Sequence, residues 1–189
     1  MADAPAAAEA KVRVTPEEFH LIKYDAGEIA QIVTALAELV GVGNPIHVVV
    51  DETTPLSKMS ADVDGRSSDA TITIRSESGA LEDTQRFTHF SASSARGSLG
   101  RMLLRARDRL RDDFADTPSD LELSLRENAA WDTYAAGRLA RAGVPLNQQR
   151  FRYNHRNRFG FSDEVDADFD RLWAADNLSW AELQDRVET

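Results

Sequence analysis

The chain of 189 residues contains no cysteine, which excludes structural disulfides, thiolate zinc sites and a cysteine nucleophile. Aromatic residues make up only 7% of the chain, and histidine occurs only four times. No apolar run approaches the roughly 20 residues that a membrane-spanning helix needs, so we expect no membrane association. The N-terminal stretch lacks a basic segment before an apolar core, so a signal peptide is not predicted and a cytoplasmic location is expected.

An excess of positive charge is also missing. The chain has 22 basic and 32 acidic side chains, which gives a formal net charge of -10. This charge disfavours duplex DNA as a partner of the whole protein, although a local basic patch can override it. The length and the hydrophobic fraction of 42% fit one good core. We therefore predict a disordered tail over residues 1–11 and a single domain over residues 12–189.

The N-terminal half predicts helices followed by a small sheet. Thr15 and Pro16 are typical of a helix start, and a second helix is predicted by apolar residues at helical spacing from Ile29 to Val40. β-branched or alternating runs then predict three strands and a possible fourth. These runs are Ile46–Val50, Ala61–Asp64, Ala70–Arg75 and Gln85–Phe90.

Helices are predicted for most of the remaining chain. One apolar stripe runs from Leu99 to Phe114, with Ser93 or Ser94 as its cap. The next helix is predicted to start at Thr117–Asp120 and to run to about Ala142, with core candidates Leu121, Leu125, Trp131, Tyr134, Ala135 and Leu139. Ser162 and Ser179 are predicted to cap two further helices. Because strands and helices are segregated along the chain, the fold class is predicted to be α+β, with N-terminal helices, a three- or four-stranded sheet and several C-terminal helices.

Two of these helices carry the residues of a family resemblance. Leu125–Pro145 contains the run Asn128-Ala129-Ala130-Trp131-Asp132 ahead of Tyr134-Ala135, and Ser93–Leu110 precedes it as a long helix. Together with the strand pair of Ile46–Gly65 and the strand and turn of Thr71–Glu82, this order resembles small gluzincin-type zinc peptidases. That family has a His-Glu-x-x-His helix followed by a helix with Glu-x-x-Ala-Asp. The resemblance covers about Ile46 to Pro145 and implies a zincin-like outline.

The residues depart from the family pattern at every ligand position. Ser93–Leu110 contains no histidine and no glutamate, and arginines 101 and 105 occupy an i, i+4 pair where two histidines would bind zinc. Asn128 stands where the third ligand is expected, and Glu127 points about 100° away on a helix. The resemblance thus implies a degenerate metal site at Arg101, Arg105, Asn128 and Asp132, without metal or other cofactor. If an arginine lies beside Asp132, a salt bridge has replaced the ion; the alternative is a pair of ordinary amphipathic helices.

A second candidate site is the basic and aromatic segment 150–161. It interleaves four arginines with four aromatic residues, which suits contact with RNA or single-stranded nucleic acid. Arginine and tyrosine are also enriched in protein-binding hot spots. The acidic residues that follow it, including Asp163, Glu164, Asp166 and Asp168, could instead neutralise it within the chain. The candidate binding residues are Arg150, Arg152, Tyr153, His155, Arg156 and Arg158.

Four weaker constellations have simple structural explanations. His47 with Asp51 and Glu52 could form an acid/base site, but a strand-end acidic pair is usually part of a loop. His89 lies near Ser91, Ser93 and Ser94, yet no Gly-x-Ser-x-Gly elbow surrounds any serine. The acidic run from Asp163 lacks calcium-loop spacing and suits a helix N-terminus. The arginines of the Ser93–Leu110 helix are expected to form a solvated, ion-paired face.

These observations predict a non-catalytic, zincin-like binding or regulatory protein, a pseudo-metallopeptidase that acts through a protein partner. No catalytic residue is assigned. The alternative is an RNA- or single-strand-binding protein that uses residues 150–161. A third possibility is an enzyme that uses His47, Asp51 and Glu52.

Overall fold

The computed structural model describes residues 12–187, so the predicted disordered tail of residues 1–11 lies outside the described part of the chain. The strands are β1 (Val12–Thr15), β2 (Ile46–Asp51), β3 (Met59–Val63), β4 (Ile72–Glu77), β5 (Glu82–Asp83) and β6 (Arg86–Phe90). The helices are α1 (Ala26–Val40), α2 (Ala92–Arg109), α3 (Leu125–Arg141), α4 (Gln148–Phe159), α5 (Asp163–Ala174) and α6 (Trp180–Asp185). The predicted α+β class is confirmed. None of the helices in residues 12–187 has the length and apolar character needed to cross a bilayer.

The main sheet has four strands in the order β1-β2-β4-β3. Strands β1, β2 and β4 are parallel, with Val48 opposite Ile74, and β3 pairs antiparallel with β4 at one edge. Side chains alternate between the two faces: Val48 and Ile74 are fully buried, whereas Arg75 is exposed. Strands β5 and β6 form a separate hairpin.

One face of the sheet packs against α1 and α2, and these helices also contact each other. Helix α1 forms where the apolar spacing predicted it, with Asp25 as N-cap and Gly41 in the left-handed conformation as C-cap. A second apolar cluster lies among the C-terminal helices and is dominated by aromatic rings. Its fully or nearly buried members are Phe114, Ala130, Trp131, Tyr134, Leu172, Trp180 and Leu183.

Close approach of backbone and side chains sets the helix packing. A Cβ on Gly100 of α2 would lie 2.7 Å from a methyl carbon of Leu139 on α3. A Cβ on Gly137 of α3 would lie 2.0 Å from the carbonyl oxygen of Trp173 on α5. Glycine at these two positions therefore lets α3 pack tightly between α2 and α5.

The predicted N-terminal helix at Thr15 is wrong, and the fourth strand of the main sheet lies elsewhere than expected. Thr15 ends β1, whose backbone pairs with β2, and the first helix begins only at Ala26. The Thr15-Pro16 pair indicates a helix start only from neighbouring residues. The hydrogen bonds between β1 and β2 join residues that are far apart in the sequence, so this pattern does not reveal them. The predicted strand Gln85–Phe90 exists as β6, but it belongs to the hairpin.

Three further helix predictions need correction. Ser91, rather than Ser93 or Ser94, caps α2. Helix α3 begins at Leu125 with a capping box, later than predicted, and Leu121 and Leu125 are exposed. The other core candidates of this helix are confirmed as fully buried: Trp131, Tyr134, Ala135 and Leu139. The caps predicted at Ser162 and Ser179 are confirmed.

Candidate functional site

Helices α2 and α3 lie side by side and bring together the four positions that the family resemblance singled out. Arg101 Nη1 lies 2.5 Å from both carboxylate oxygens of Asp132. One turn further along, Arg105 Nη1 donates to Asn128 Oδ1 at 2.8 Å. Arg101 and Asp132 are mostly buried, with exposed side-chain fractions of 19% and 23%. We call these four residues the α2–α3 seam.

The seam is anchored to the sheet by Asp120, in the loop that precedes α3. Asp120 Oδ1 accepts from Arg105 Nη2 at 2.6 Å and from Arg109 Nη2 at 2.7 Å. Its other oxygen accepts from the backbone N–H of Ala61, on edge strand β3, at 2.8 Å. Only 2% of the Asp120 side chain is exposed. One buried carboxylate thus joins α2, the loop and the edge of the sheet.

A second buried carboxylate continues this arrangement on the far side of Trp131. The guanidinium groups of Arg105 and Arg109 lie 4.5 and 4.9 Å from the Trp131 ring centroid. Trp131 Nε1 donates to Asp108 Oδ2 at 2.9 Å, and Asp108 also accepts from Arg138. Cation–π contacts strengthen when the groups are removed from water, as here. We call Arg105, Arg109, Asp120, Asp108 and Arg138 the buried charge network.

The electrostatics of this region favour guanidinium groups held by carboxylates. Burial lowers the pKa of Arg105, and the carboxylates of Asp120 and Asp132 oppose that effect. An arginine side chain nevertheless stays protonated in proteins and has no lone pair to offer a metal. The predicted solvated arginine face is therefore wrong in part, since Arg105 and Arg109 are buried, although both are ion-paired.

The residues of the α2–α3 seam do not fit a zinc ion. Zinc needs neutral or anionic N, O or S donors, and two of the four seam residues are cationic. The oxygen atoms of Asn128 and Asp132 already accept hydrogen bonds from Arg105 and Arg101. Nowhere in residues 12–187 do three or more histidine, aspartate or glutamate side chains group as a metal site.

The second candidate site forms α4, and the helix divides its residues between two faces. On the inner face, Arg156 makes a bidentate pair with Asp166, and the same contact lowers the pKa of that carboxyl group. Arg152 pairs with Asp166 and Asp170 on α5. Two of the four arginines, Arg152 and Arg156, are therefore neutralised within the chain by the acidic helix α5.

On the outer face of α4, charged and aromatic side chains are exposed. Tyr153 is 58% exposed and Phe161, just after the helix, is 67% exposed. Their rings meet edge to face with centroids 6.2 Å apart. Arg150 and Arg158 are exposed too, and no ion pair holds either guanidinium among residues 12–187. We call Arg150, Tyr153, Arg158 and Phe161 the α4 outer face.

His155, the remaining candidate in this segment, is buried rather than available at the surface. Its ring stacks on Phe159 with centroids 4.3 Å apart and meets the ring of Phe169 edge to face. Both ring nitrogens lack a hydrogen-bond partner within the described chain. Burial lowers the pKa of His155, against the opposing effect of nearby Asp168.

The structure does not join His47 to the strand-end carboxylates. His47 Nε2 lies 2.9 Å from Thr15 Oγ1, and burial lowers the pKa of this imidazole. Asp51 accepts bonds from Thr53 and Thr54, while Glu52 accepts from the backbone N–H groups of His20 and Leu21. Both carboxylates thus stabilise loops, and in residues 12–187 neither bonds to His47.

The serine constellation and the acidic run also have local structural roles. His89 Nδ1 contacts the carbonyl oxygen of Phe87, and the Ser91 hydroxyl caps α2. The acidic run forms the first turns of α5, where the negative charges interact favourably with the positive end of the helix dipole.

Sequence reasoning missed Asp120, Asp108 and Arg138 as the residues that organise the region. Asp120 belongs to the run Thr117–Asp120 that predicts a helix start, and Asp108 lies on the helix whose arginines are expected to form a solvated, ion-paired face. Their spacing to Arg105, Arg109 and Arg138 carries no short-range signal, because the partners come from different elements. Asp108 lies between Arg105 and Arg109, an i, i+4 pair, but this spacing does not distinguish a buried carboxylate from an exposed one.

Comparisons with models of known protein families, with curated proteins and with solved structures find no match to this chain.

Proposed function

We propose that this protein is a non-catalytic, zincin-like binding protein in which the α2–α3 seam replaces a metal site and the α4 outer face contacts a protein partner. The observation that carries the proposal is the pairing of Arg101 with Asp132 and of Arg105 with Asn128. These contacts lie where the family resemblance expects two histidine ligands and a glutamate ligand. Guanidinium groups hold the two helices together there without an ion.

The register of the seam supports this interpretation. Metal-bound histidines commonly donate their second N–H to a carboxylate, which fixes the orientation of the ring. Asp132 accepts from the side chain at position 101, as such a carboxylate would from a metal-bound histidine there. Asn128 accepts from the side chain at position 105. A histidine at each arginine position and a glutamate at position 128 would reconstitute the ligand set that zinc requires.

A binding role is supported by the composition of the α4 outer face. Tyrosine and arginine are the residue types that dominate protein-binding hot spots, and aromatic rings lose little conformational freedom on binding. Tyr153 and Phe161 are exposed although large aromatic side chains are usually buried. Arg150 and Arg158 add positive charge to a protein whose net charge is -10, so an acidic, apolar surface is the complementary partner.

The metal-site half of the proposal is tested by restoring ligands. The variant Arg101→His, Arg105→His, Asn128→Glu is expected to bind one Zn²⁺ per chain, whereas the unaltered protein binds none. Isothermal titration with zinc and elemental analysis measure this, and circular dichroism follows folding. If the variant folds only with metal, zinc-dependent folding is itself the positive result.

A matched control separates a three-ligand site from a simple histidine pair. Arg101→His with Arg105→His keeps Asn128, so it has the same i, i+4 histidine pair on α2 but lacks the third ligand. We expect the first variant to bind zinc at least about tenfold more tightly. Equal affinity in both variants would remove the zincin-like interpretation of the seam.

The partner half is tested at the α4 outer face. Tyr153→Ala with Phe161→Ala is expected to lose proteins that the unaltered chain retains from an extract of its source cells, measured by quantitative mass spectrometry. Leu121→Ala with Leu125→Ala, at exposed positions elsewhere, is the control and is expected to retain them. Identical protein sets for all three chains would contradict a partner at this face.

The nucleic-acid alternative depends on the same face and has a separate readout. Arg152 and Arg156 are neutralised by α5, which leaves Arg150 and Arg158 for phosphate contact. Fluorescence anisotropy with labelled oligouridine at low salt would detect such contact. Salt-sensitive binding that disappears in Arg150→Ala with Arg158→Ala would replace the protein-partner proposal with the nucleic-acid one.

A further inference from the structure

A cavity of about 250 Å³ lies between the C-terminal half of α4, the first turns of α5 and the start of α3. His155 and Phe159 line it from α4, Val165 lines it from α5, and Arg126 lines it from α3. The cavity is separate from the α2–α3 seam and from the α4 outer face.

His155 is the unusual group in the cavity wall. The residue is 1% exposed, and neither ring nitrogen has a hydrogen-bond partner in the described chain. Buried polar atoms are nearly always paired, so an unpaired imidazole at a cavity indicates a missing partner. Asp168 Oδ2 is 3.9 Å from Nε2, which is beyond hydrogen-bond distance.

Two further hydrogen-bond donors around the cavity are unpaired within the described chain. The Arg171 side chain has no ion-pair or hydrogen-bond partner in residues 12–187, and Nε of Arg186 is buried and unpaired. Asp168 accepts from Arg186 Nη1 at 2.8 Å through Oδ1, while its Oδ2 faces His155, and a hydrogen bond with Ser162 lowers the pKa of Glu164. The lining as a whole holds three arginines against two carboxylates, which gives it a formal charge of +1. The unmet need of the cavity is therefore an acceptor, preferably an anionic one.

From this arrangement we infer that the cavity binds a small molecule with one carboxylate group on a short apolar body. The carboxylate would accept from Arg171. Because both ring nitrogens of His155 are buried, a turn of the imidazole ring would bring its N–H to the carboxylate. The apolar body would pack on Phe159 and Val165. Because the volume exceeds what an inorganic anion fills, a bare phosphate leaves that apolar lining in contact with water and binds more weakly.

Benzoate is a suitable probe, because it joins a carboxylate to a flat apolar ring. Titration of the full chain with benzoate, followed through the ¹⁵N signals of the histidine side chains, is expected to saturate and to shift the His155 ring signals. Benzyl alcohol, with the same ring and no charge, and inorganic phosphate, with charge and no ring, are each expected to bind at least about tenfold more weakly.

Two single substitutions decide whether the cavity itself is the site. Arg171→Gln removes the unpaired donor at an exposed position, so the fold is retained, and it is expected to weaken benzoate about tenfold or more. Arg96→Gln, an exposed arginine on α2, is the matched control and is expected to leave the affinity unchanged. A titration that never saturates, or an equal effect of both substitutions, would overturn the assignment. Either result leaves the proposed partner binding untouched, because the α4 outer face is not altered.

Discussion

The carboxylate of Asp108 faces the guanidinium of Arg138 with both oxygens engaged: Nη1 lies 2.7 Å from Oδ1, and Nη2 lies 2.5 Å from Oδ2. The side chains are 0% and 5% exposed. Asp108→Ala would leave Arg138 buried without its counter-ion and Trp131 Nε1 without its acceptor. We expect a loss of about 3–5 kcal/mol in the free energy of unfolding, measured by urea denaturation.

An exposed pair provides the comparison. Asp62 Oδ2 lies 3.0 Å from Arg75 Nη1, but the side chains of Asp62 and Arg75 are 49% and 59% exposed. Asp62→Ala is expected to cost less than about 1 kcal/mol, because water already stabilises both charges. If Asp108→Ala cost no more than Asp62→Ala, the buried pair would have no special role in stability.

Asp120 is expected to be the most sensitive position in the loop before α3. Asp120→Ala removes the shared counter-ion of Arg105 and Arg109 and the acceptor for the Ala61 N–H, so we expect a loss of about 3–5 kcal/mol. Asp120→Asn keeps an acceptor for Ala61 and should lose less. The denaturation midpoints of the two variants measure which is less stable. The control is Asp112→Ala, at an exposed position, which is expected to leave the midpoint unchanged. Equal losses for Asp120→Ala and Asp120→Asn would contradict the role of the Ala61 N–H bond.

Gly137 is expected to reject any side chain. A Cβ there would overlap the backbone carbonyl of Trp173, so α3 and α5 would have to separate. Gly137→Ala is predicted to destabilise the fold by at least about 1–3 kcal/mol in thermal or urea denaturation. Gly43→Ala is the control, because a Cβ there meets no heavy atom within 4 Å, and a change of no more than about 0.5 kcal/mol is expected. A neutral Gly137→Ala would show that the helices are further apart.

His155 is expected to make stability depend on pH. Burial lowers its pKa below the ordinary 6.5, against the carboxylates of Asp168 and Asp166 and together with the charge of Arg152. The unfolded chain therefore binds a proton first as the pH falls, so this contribution is complete above 6.5 and is lost as the pH drops from there toward the folded-state pKa.

The measurement is the free energy of unfolding between about pH 8 and about pH 5. His155→Phe keeps the ring stacking and removes the titrating group, so its pH slope over this range should be shallower than that of the unaltered protein. An unchanged slope would mean that other groups carry the dependence.

Local patterns predicted most of the helices. The apolar spacing of α1 is a local signal, because the residues that form it are only a few positions apart. The same holds for the serine caps of α5 and α6, so these helices can be predicted from the sequence. Strand β1 could not be found this way, because its four residues become a strand only by pairing with Ile46–Val49, far along the chain. The start of α3 at Leu125 could not be predicted for the same reason. Asp120 bonds to residues from other elements instead of capping a helix.

The candidate sites show the same division. Arginine spacing on α2 and the Asn128-to-Asp132 spacing on α3 marked four positions that do meet in space. Which arginines would be buried could not be read from spacing, because Asp120 approaches them from a separate loop. On α4, helical periodicity would have separated inner Arg152 and Arg156 from outer Arg150, had the segment been interpreted as a helix.

The bond from the Ala61 N–H to Asp120 also protects the open margin of the sheet. That N–H points away from β4, at the centre of edge strand β3, and is the group that an incoming strand from another molecule would need. A buried carboxylate holds it, and the carboxylate is itself fixed by Arg105 and Arg109. The charges that link the helices therefore also act against aggregation between copies of the chain.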